Sequence, residues 1–189
     1  MTTSPADPPL LVIADAAAWR AWLDANEHES DGVWLVLAKK GTTDPTSLSY
    51  AQALDEALCS GWIDGQKGSI DAAVFKQRFT PRRKASIWSQ RNIGIVERLV
   101  SEGRMRDRGL AEVERARADG RWERAYAGSA SAEIPADLAS ALEGSVAAAA
   151  AFAALNAAER YSILHKLMTA NNETVRRNRL AKILAALDG

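Results

Sequence analysis

The chain changes character at Gly128-Ser129-Ala130-Ser131-Ala132. Ahead of this small-residue stretch, strand-like runs alternate with runs of helical period; behind it the apolar patterns are helical and rich in alanine. Such a chain is predicted to build an α+β part followed by an all-α part. Three segments are expected: a flexible leader with a possible edge strand over 1–14, an α+β core over 15–128, and a helical section over 129–189. With 189 residues and 47% apolar content, the core needs no disulfide or metal to form. Cys59 is the single cysteine, which excludes an intramolecular disulfide and any C-x-x-C site.

Within the first part, Asp15 is placed to cap a helix whose Trp19, Trp22 and Leu23 share one face. Val33-Trp34-Leu35-Val36-Leu37-Ala38, between Gly32 and Lys39-Lys40-Gly41, reads as a buried strand. Ser49 and Gln52 have the spacing of a capping box, and Gly61 closes the helix they open. Trp62 to Phe79 reads as a β-hairpin turning near Lys67-Gly68-Ser69 or Asp71-Ala72. On its second strand Phe75, Gln77 and Phe79 point one way, and Val74, Lys76, Arg78 and Thr80 the other. The expected fold is therefore α+β, a small antiparallel sheet flanked by helices, followed by an all-α C-terminal section. Ser89 is expected to cap a helix from Gln90 to about Glu102 and Asp107 to cap the next. Trp122 and Tyr126, four apart, read as pins of a short helix. Pro135, Ser145, Asn156 with Glu159, and Glu173 mark the later helix starts. The apolar run from Val146 to Leu155 is about half the ~20 residues a membrane span requires.

Recognition chemistry concentrates between Trp62 and Asn92. The formal net charge is zero, so any attraction for an anion has to be local. Lys76, Arg78, Arg82, Arg83, Lys84 and Arg91 gather around Thr80 and beside the helix start at Ser89. Open amides and the positive end of a helix favour phosphate or carboxylate there, and an arginine fork holds such a group bidentately. Trp62 and Trp88 add stacking surface. The expected binding set is Trp62, Asp64, Lys76, Arg78, Thr80, Arg82, Arg83, Lys84, Trp88, Ser89, Arg91 and Asn92, for a small anionic ligand or an anionic macromolecule. The competing reading is a solvated basic patch, with both tryptophans in the core and Asp64 paired to an arginine.

No cofactor and no metal are expected, because neither a phosphate-cradling glycine loop nor metal-ligand spacing is present. His28 and His165 are too far apart in sequence to suggest a histidine-based site, and no catalytic residue is assigned. In the alternative, the chain is an enzyme acting on a small anionic substrate with Asp64 as acid or base. A third reading makes the C-terminal helices a docking face for a protein partner, in a monomer or homodimer. The N-terminus has no basic segment and no long apolar stretch, which points to a cytoplasmic protein.

Trp19 to Leu23, Trp34-Leu35 with Lys39-Lys40, Gly61-Trp62-Ile63-Asp64-Gly65, Arg78-Phe79-Thr80-Pro81-Arg82, Ser86-Ile87-Trp88-Ser89 with Asn92, and Gly120-Arg121-Trp122 together resemble the YdeI/OmpD-associated family of bacterial proteins. The likeness extends from Trp19 onward. It implies a role in bacteriocin protection and resistance to cationic antimicrobial peptides, without an established reaction. The last helix departs from the family pattern at Ala170-Asn171-Asn172-Glu173-Thr174-Val175-Arg176, where the usual lysine is missing and the arginine is displaced.

Overall fold

The structure, a computed structural model, describes residues 10–189. Of the leader expected over 1–14, residues 1–9 lie outside the described residues. Two compact units are present: one runs through Ser86 and resumes over Asn92–Glu123, and the other joins Ile87–Arg91 to Arg124–Gly189. The first is α+β and the second is helical, the division of character read from the sequence.

In the first unit the strands are β1 (Leu10–Leu11), β2 (Val33–Ala38), β3 (Trp62–Ser69) and β4 (Val74–Pro81), in the spatial order β1-β2-β4-β3. β4 pairs antiparallel with both neighbours, whereas β1 runs parallel to β2, so the sheet is mixed rather than wholly antiparallel. The hairpin turns at Asp71, whose carboxylate accepts from the amides of Ala73 and Val74 at 2.7 and 2.8 Å. Val33, Leu35 and Leu37 stand opposite Phe79, Gln77 and Phe75, and all six are buried.

Helices α1 (Ala16–Asn26) and α2 (Tyr50–Cys59) pack on that face. Asp15 caps α1, and Ser49 with Gln52 forms the capping box of α2. Trp19 reaches the sheet 5.8 Å from the Phe79 ring, and its indole N–H donates to the Ala53 carbonyl, tying α1 to α2. α3 (Gln90–Ser101) and α4 (Asp107–Ala118) follow. Asp107 is the first helical residue of α4 and not its cap, which is Arg106, whose side chain makes no capping hydrogen bond. At Gly109 a Cβ would lie 2.1 Å from the Cys59 carbonyl oxygen, so this crossing of α4 over the end of α2 admits only glycine. Cys59 itself is fully buried, and that burial, with Glu56 beside it, pushes its thiol up to about 11. No short helix forms at Trp122 and Tyr126. The chain there makes turns, with the Trp122 amide donating to Ala116 and the Arg117 guanidinium over the Trp122 ring.

The second unit holds α5 (Ala136–Glu143), α6 (Val146–Ala154), α7 (Ala157–Met168) and α8 (Glu173–Asp188). Leu138, Phe152, Leu164, Leu167 and Ile183 form its core. Ser145, Asn156 with Glu159, and Asn172 cap α6, α7 and α8. Arg176, the displaced arginine of the last helix, binds Asp137 of α5 bidentately at 2.7 and 2.8 Å and donates to the Leu167 carbonyl of α7. The guanidinium holds the Asp137 carboxyl below its ordinary value of 3.8. The folded state therefore keeps Asp137 ionised after the unfolded chain has taken up its proton. Stability from this pair is complete above the ordinary value and is lost as pH falls through the depressed one. Arg176→Ala is expected to cost about 1–2 kcal/mol at neutral pH. It should also flatten the acid end of the pH–stability curve, read as urea midpoints between neutral pH and the acid limit.

Candidate functional site

Strand alternation puts Lys76, Arg78 and Thr80 of β4 on the sheet face opposite Phe75, Gln77 and Phe79. Lys76 stands between Val36 and Gly68, Arg78 opposite Trp34, and Thr80 opposite Ile63. A Cβ at Gly68 would meet Lys76 Cε at 2.9 Å, so the bare glycine leaves room for the lysine stem. The Lys76 ammonium rests 4.7 Å over the Trp34 ring. Trp34 is thus part of this face, which the sequence reading missed. Strand period alone would have separated Trp34 and Val36 from their neighbours, but a continuous apolar run conceals that alternation.

β4 runs into a tight loop. The Arg83 amide donates to Ser86 Oγ at 2.9 Å, and the Ser86 amide returns to the Arg83 carbonyl at 2.9 Å. Arg121 fastens the loop by donating Nη1 to the Ser86 carbonyl at 2.9 Å. Arg83 and Lys84 are left exposed at its tip.

The electrostatics of the first unit are uneven. Arg98 binds Asp55 at 2.7 Å, Arg104 and Arg106 bind Glu56 at 2.6 and 2.8 Å, and Arg115 and Arg121 bind Glu112 at 3.1 and 3.0 Å. By contrast, no carboxylate among the described residues lies within 4.0 Å of Lys76, Arg78, Arg83 or Lys84. Arg98 of α3, Arg115 of α4 and the flanking Arg104, Arg106 and Arg121 are spent on carboxylates, and Arg108 and Arg117 of α4 on the Glu27 carbonyl and the Trp122 ring, whereas the cations of β4 and its loop have no carboxylate partner.

The remaining expected residues are placed differently. Trp62 is fully buried, edge-on to Trp19 and Trp22 at 6.3 and 6.0 Å, and presents no open ring face for stacking. Asp64 accepts a hydrogen bond from the Tyr50 hydroxyl at 2.8 Å, a phenol in place of the arginine considered above. Arg82 is buried, its amide bonded to the Gly61 carbonyl at 3.0 Å. Asn92 is buried in the first unit.

Trp88, Ser89 and Arg91 belong to the second unit. Trp88 and Ser89 are buried there and Arg91 is exposed. Ser89 bridges to Tyr126, and the Gln90 amide at the start of α3 donates to the Tyr126 carbonyl at 2.9 Å. That amide is therefore already engaged. Among the described residues no His, Cys, Asp and Glu group has the arrangement to hold a metal ion, and no helix is long and apolar enough to cross a membrane.

Residues 131–189 match the family described as Bacteriocin-protection, YdeI or OmpD-Associated. Residues 11–112 match a second one, described as Domain of unknown function (DUF8412). Gly61-Trp62-Ile63-Asp64-Gly65 and Arg78-Phe79-Thr80-Pro81-Arg82 fall in the latter range, so the YdeI/OmpD likeness is carried by the C-terminal part. No curated protein and no solved structure matches the chain. Because residues 11–112 make up more than half of its length, the chain belongs to the family described as Domain of unknown function (DUF8412), with a YdeI- or OmpD-associated segment at its C-terminal end.

Proposed function

We propose that this is a non-enzymatic binding protein whose first unit takes an anionic ligand on the face formed by Lys76, Arg78 and Thr80, extended by the Arg83–Lys84 loop. The observation that carries this reading is that Lys76, Arg78, Arg83 and Lys84 have no carboxylate partner among the described residues, in a unit where Arg98, Arg104, Arg106, Arg115 and Arg121 each have one. Two cations at successive same-face positions of one strand, with a threonine hydroxyl at the next, suit a group with several acceptor oxygens. Thr80 supplies a donor for an oxygen the cations leave over. The setting is protection against bacteriocins, as the description of the C-terminal match suggests, acting in the cytoplasm. A cationic peptide would be repelled from this face, so protection works through an anionic partner.

The test is titration of a fluorescein-labelled single-stranded oligonucleotide at low ionic strength, with tripolyphosphate as competitor. The double variant Lys76→Glu with Arg78→Glu should weaken binding at least about tenfold, equivalent to 1.4 kcal/mol, and lower the salt dependence of the affinity. Arg160→Glu, an exposed substitution on α7, should leave it unchanged. Unaltered affinity in the double variant would sink the reading.

A further inference from the structure

We propose that the groove between α7 and α8 is a second binding site, for a single-chain aliphatic carboxylate. Ile163 and Lys166 of α7 line it with Arg179, Lys182, Ile183, Ala186 and Leu187 of α8, around about 370 Å³ of space. That volume is at the lower end of small-molecule sites. The lining is segregated along the groove. Arg179 donates Nη1 to the Lys166 backbone carbonyl at 2.6 Å and to the Thr169 hydroxyl at 3.3 Å, which fixes its guanidinium at the C-terminal end of α7, the end at which Lys166 lines the groove, with Lys182 one turn further along α8. Beyond them come Ile163, Ile183, Ala186 and Leu187, with no charged lining residue among the last of these.

No carboxylate among the described residues lies within 4.0 Å of Lys166, Arg179 or Lys182. One turn earlier on the same helix, Arg176 has its acidic partner in Asp137. The three cations therefore border an apolar trough without a carboxylate partner, Arg179 spending one donor group on the end of α7. A carboxylate head at the cationic end and an aliphatic tail along the trough satisfy both halves. From Arg179 to Leu187 the helix rises about 12 Å, enough for a medium-length alkyl chain.

Two other occupants fit less well. A second copy docking through the same groove would set the three cations either against three like charges or against the partner's apolar end, and in neither arrangement does it bring them a carboxylate. An acidic amphipathic helix would need cations along both rims, whereas here they gather at one end.

Sodium dodecanoate, below its micelle concentration, is titrated by calorimetry into the full chain. Micromolar binding is expected, weakened at least tenfold in Lys166→Glu with Lys182→Glu, two exposed positions. Ala186→Met, which fills the trough without touching the cations, should also weaken it. Dodecyltrimethylammonium should not bind, and Lys76→Glu with Arg78→Glu should leave dodecanoate affinity intact, which separates this site from the sheet face. Absence of dodecanoate binding, equal affinity in the Lys166/Lys182 variant, or equal binding of the cationic amphiphile would each overturn the proposal. So would capture of a Glu/Leu amphipathic helical peptide in preference to dodecanoate.

Discussion

Trp62→Ala is expected to cost the fold about 3–5 kcal/mol while leaving the affinity of the folded molecules for an anionic probe unchanged. The residue is fully buried, and its ring meets those of Trp19 and Trp22 at interplanar angles of 87° and 89°. Edge-to-face pairs of this kind add about 0.5–1.5 kcal/mol each beyond the burial of their area. Against a total stability of about 5–15 kcal/mol for a protein of this kind, the loss is a large fraction. The indole nitrogen of Trp62 has no hydrogen-bond partner among the described residues. Trp62→Phe therefore removes volume without orphaning an acceptor, and its cost should be well below that of the alanine variant. Urea midpoints read the stability term, and oligonucleotide titration in the absence of urea reads the other. A Trp62→Ala protein with an unshifted midpoint but tenfold weaker binding would put the indole in contact with ligand after all.

What the sequence discloses about this fold is what depends on neighbours along the chain. Asp15, the Ser49–Gln52 box and the Asn156–Glu159 box are legible because a cap is a hydrogen bond to an amide two or three residues away. The alternation that separates Lys76 and Arg78 from Phe75 and Phe79 is legible for the same reason: side-chain direction in a strand is a matter of parity. Pairing is not local. The parallel docking of Leu10–Leu11 on β2 depends on a partner more than twenty residues away, and nothing in two leucines specifies direction.

Trp122 and Tyr126 show the same limit from the other side. A spacing of four signals a shared helix face only when both residues are in one element, and here one is held by Ala116 and the other bridges to Ser89. The candidate site divides along this line too. A run of basic residues is visible in any sequence, but Arg82 is buried while Arg83 beside it is exposed, and that difference comes from where the strand ends. Which arginines are spent on carboxylates depends on α2, α3 and α4 meeting, as Asp55 and Glu56 do with Arg98 and Arg104.

Arg121 links the stability of the first unit to the shape of its basic loop, and the two consequences are separable. Its guanidinium is 8% exposed and its partner Glu112 3% exposed, and it donates Nη1 both to that carboxylate at 3.0 Å and to the Ser86 carbonyl at 2.9 Å. Arg121→Ala leaves Glu112 buried with only Arg115, at 3.1 Å, to compensate it. Removing one partner of a buried pair costs about 3–5 kcal/mol, and the surviving Arg115 contact places the expected loss near 3. The Ser86 carbonyl loses its anchor at the same time, so the turn presenting Arg83 and Lys84 loosens, and oligonucleotide affinity should fall severalfold. Replacing the pair together, Arg121→Met with Glu112→Leu, removes the uncompensated charge and should restore most of the stability, since apolar isosteres commonly match a buried ion pair. It does not restore the donor to Ser86. Recovered urea midpoint with unrecovered affinity is the expected result for the double variant. If affinity returns with the midpoint, or never falls in Arg121→Ala, the loop cations take no part in holding the ligand and the site contracts to Lys76, Arg78 and Thr80 on the sheet.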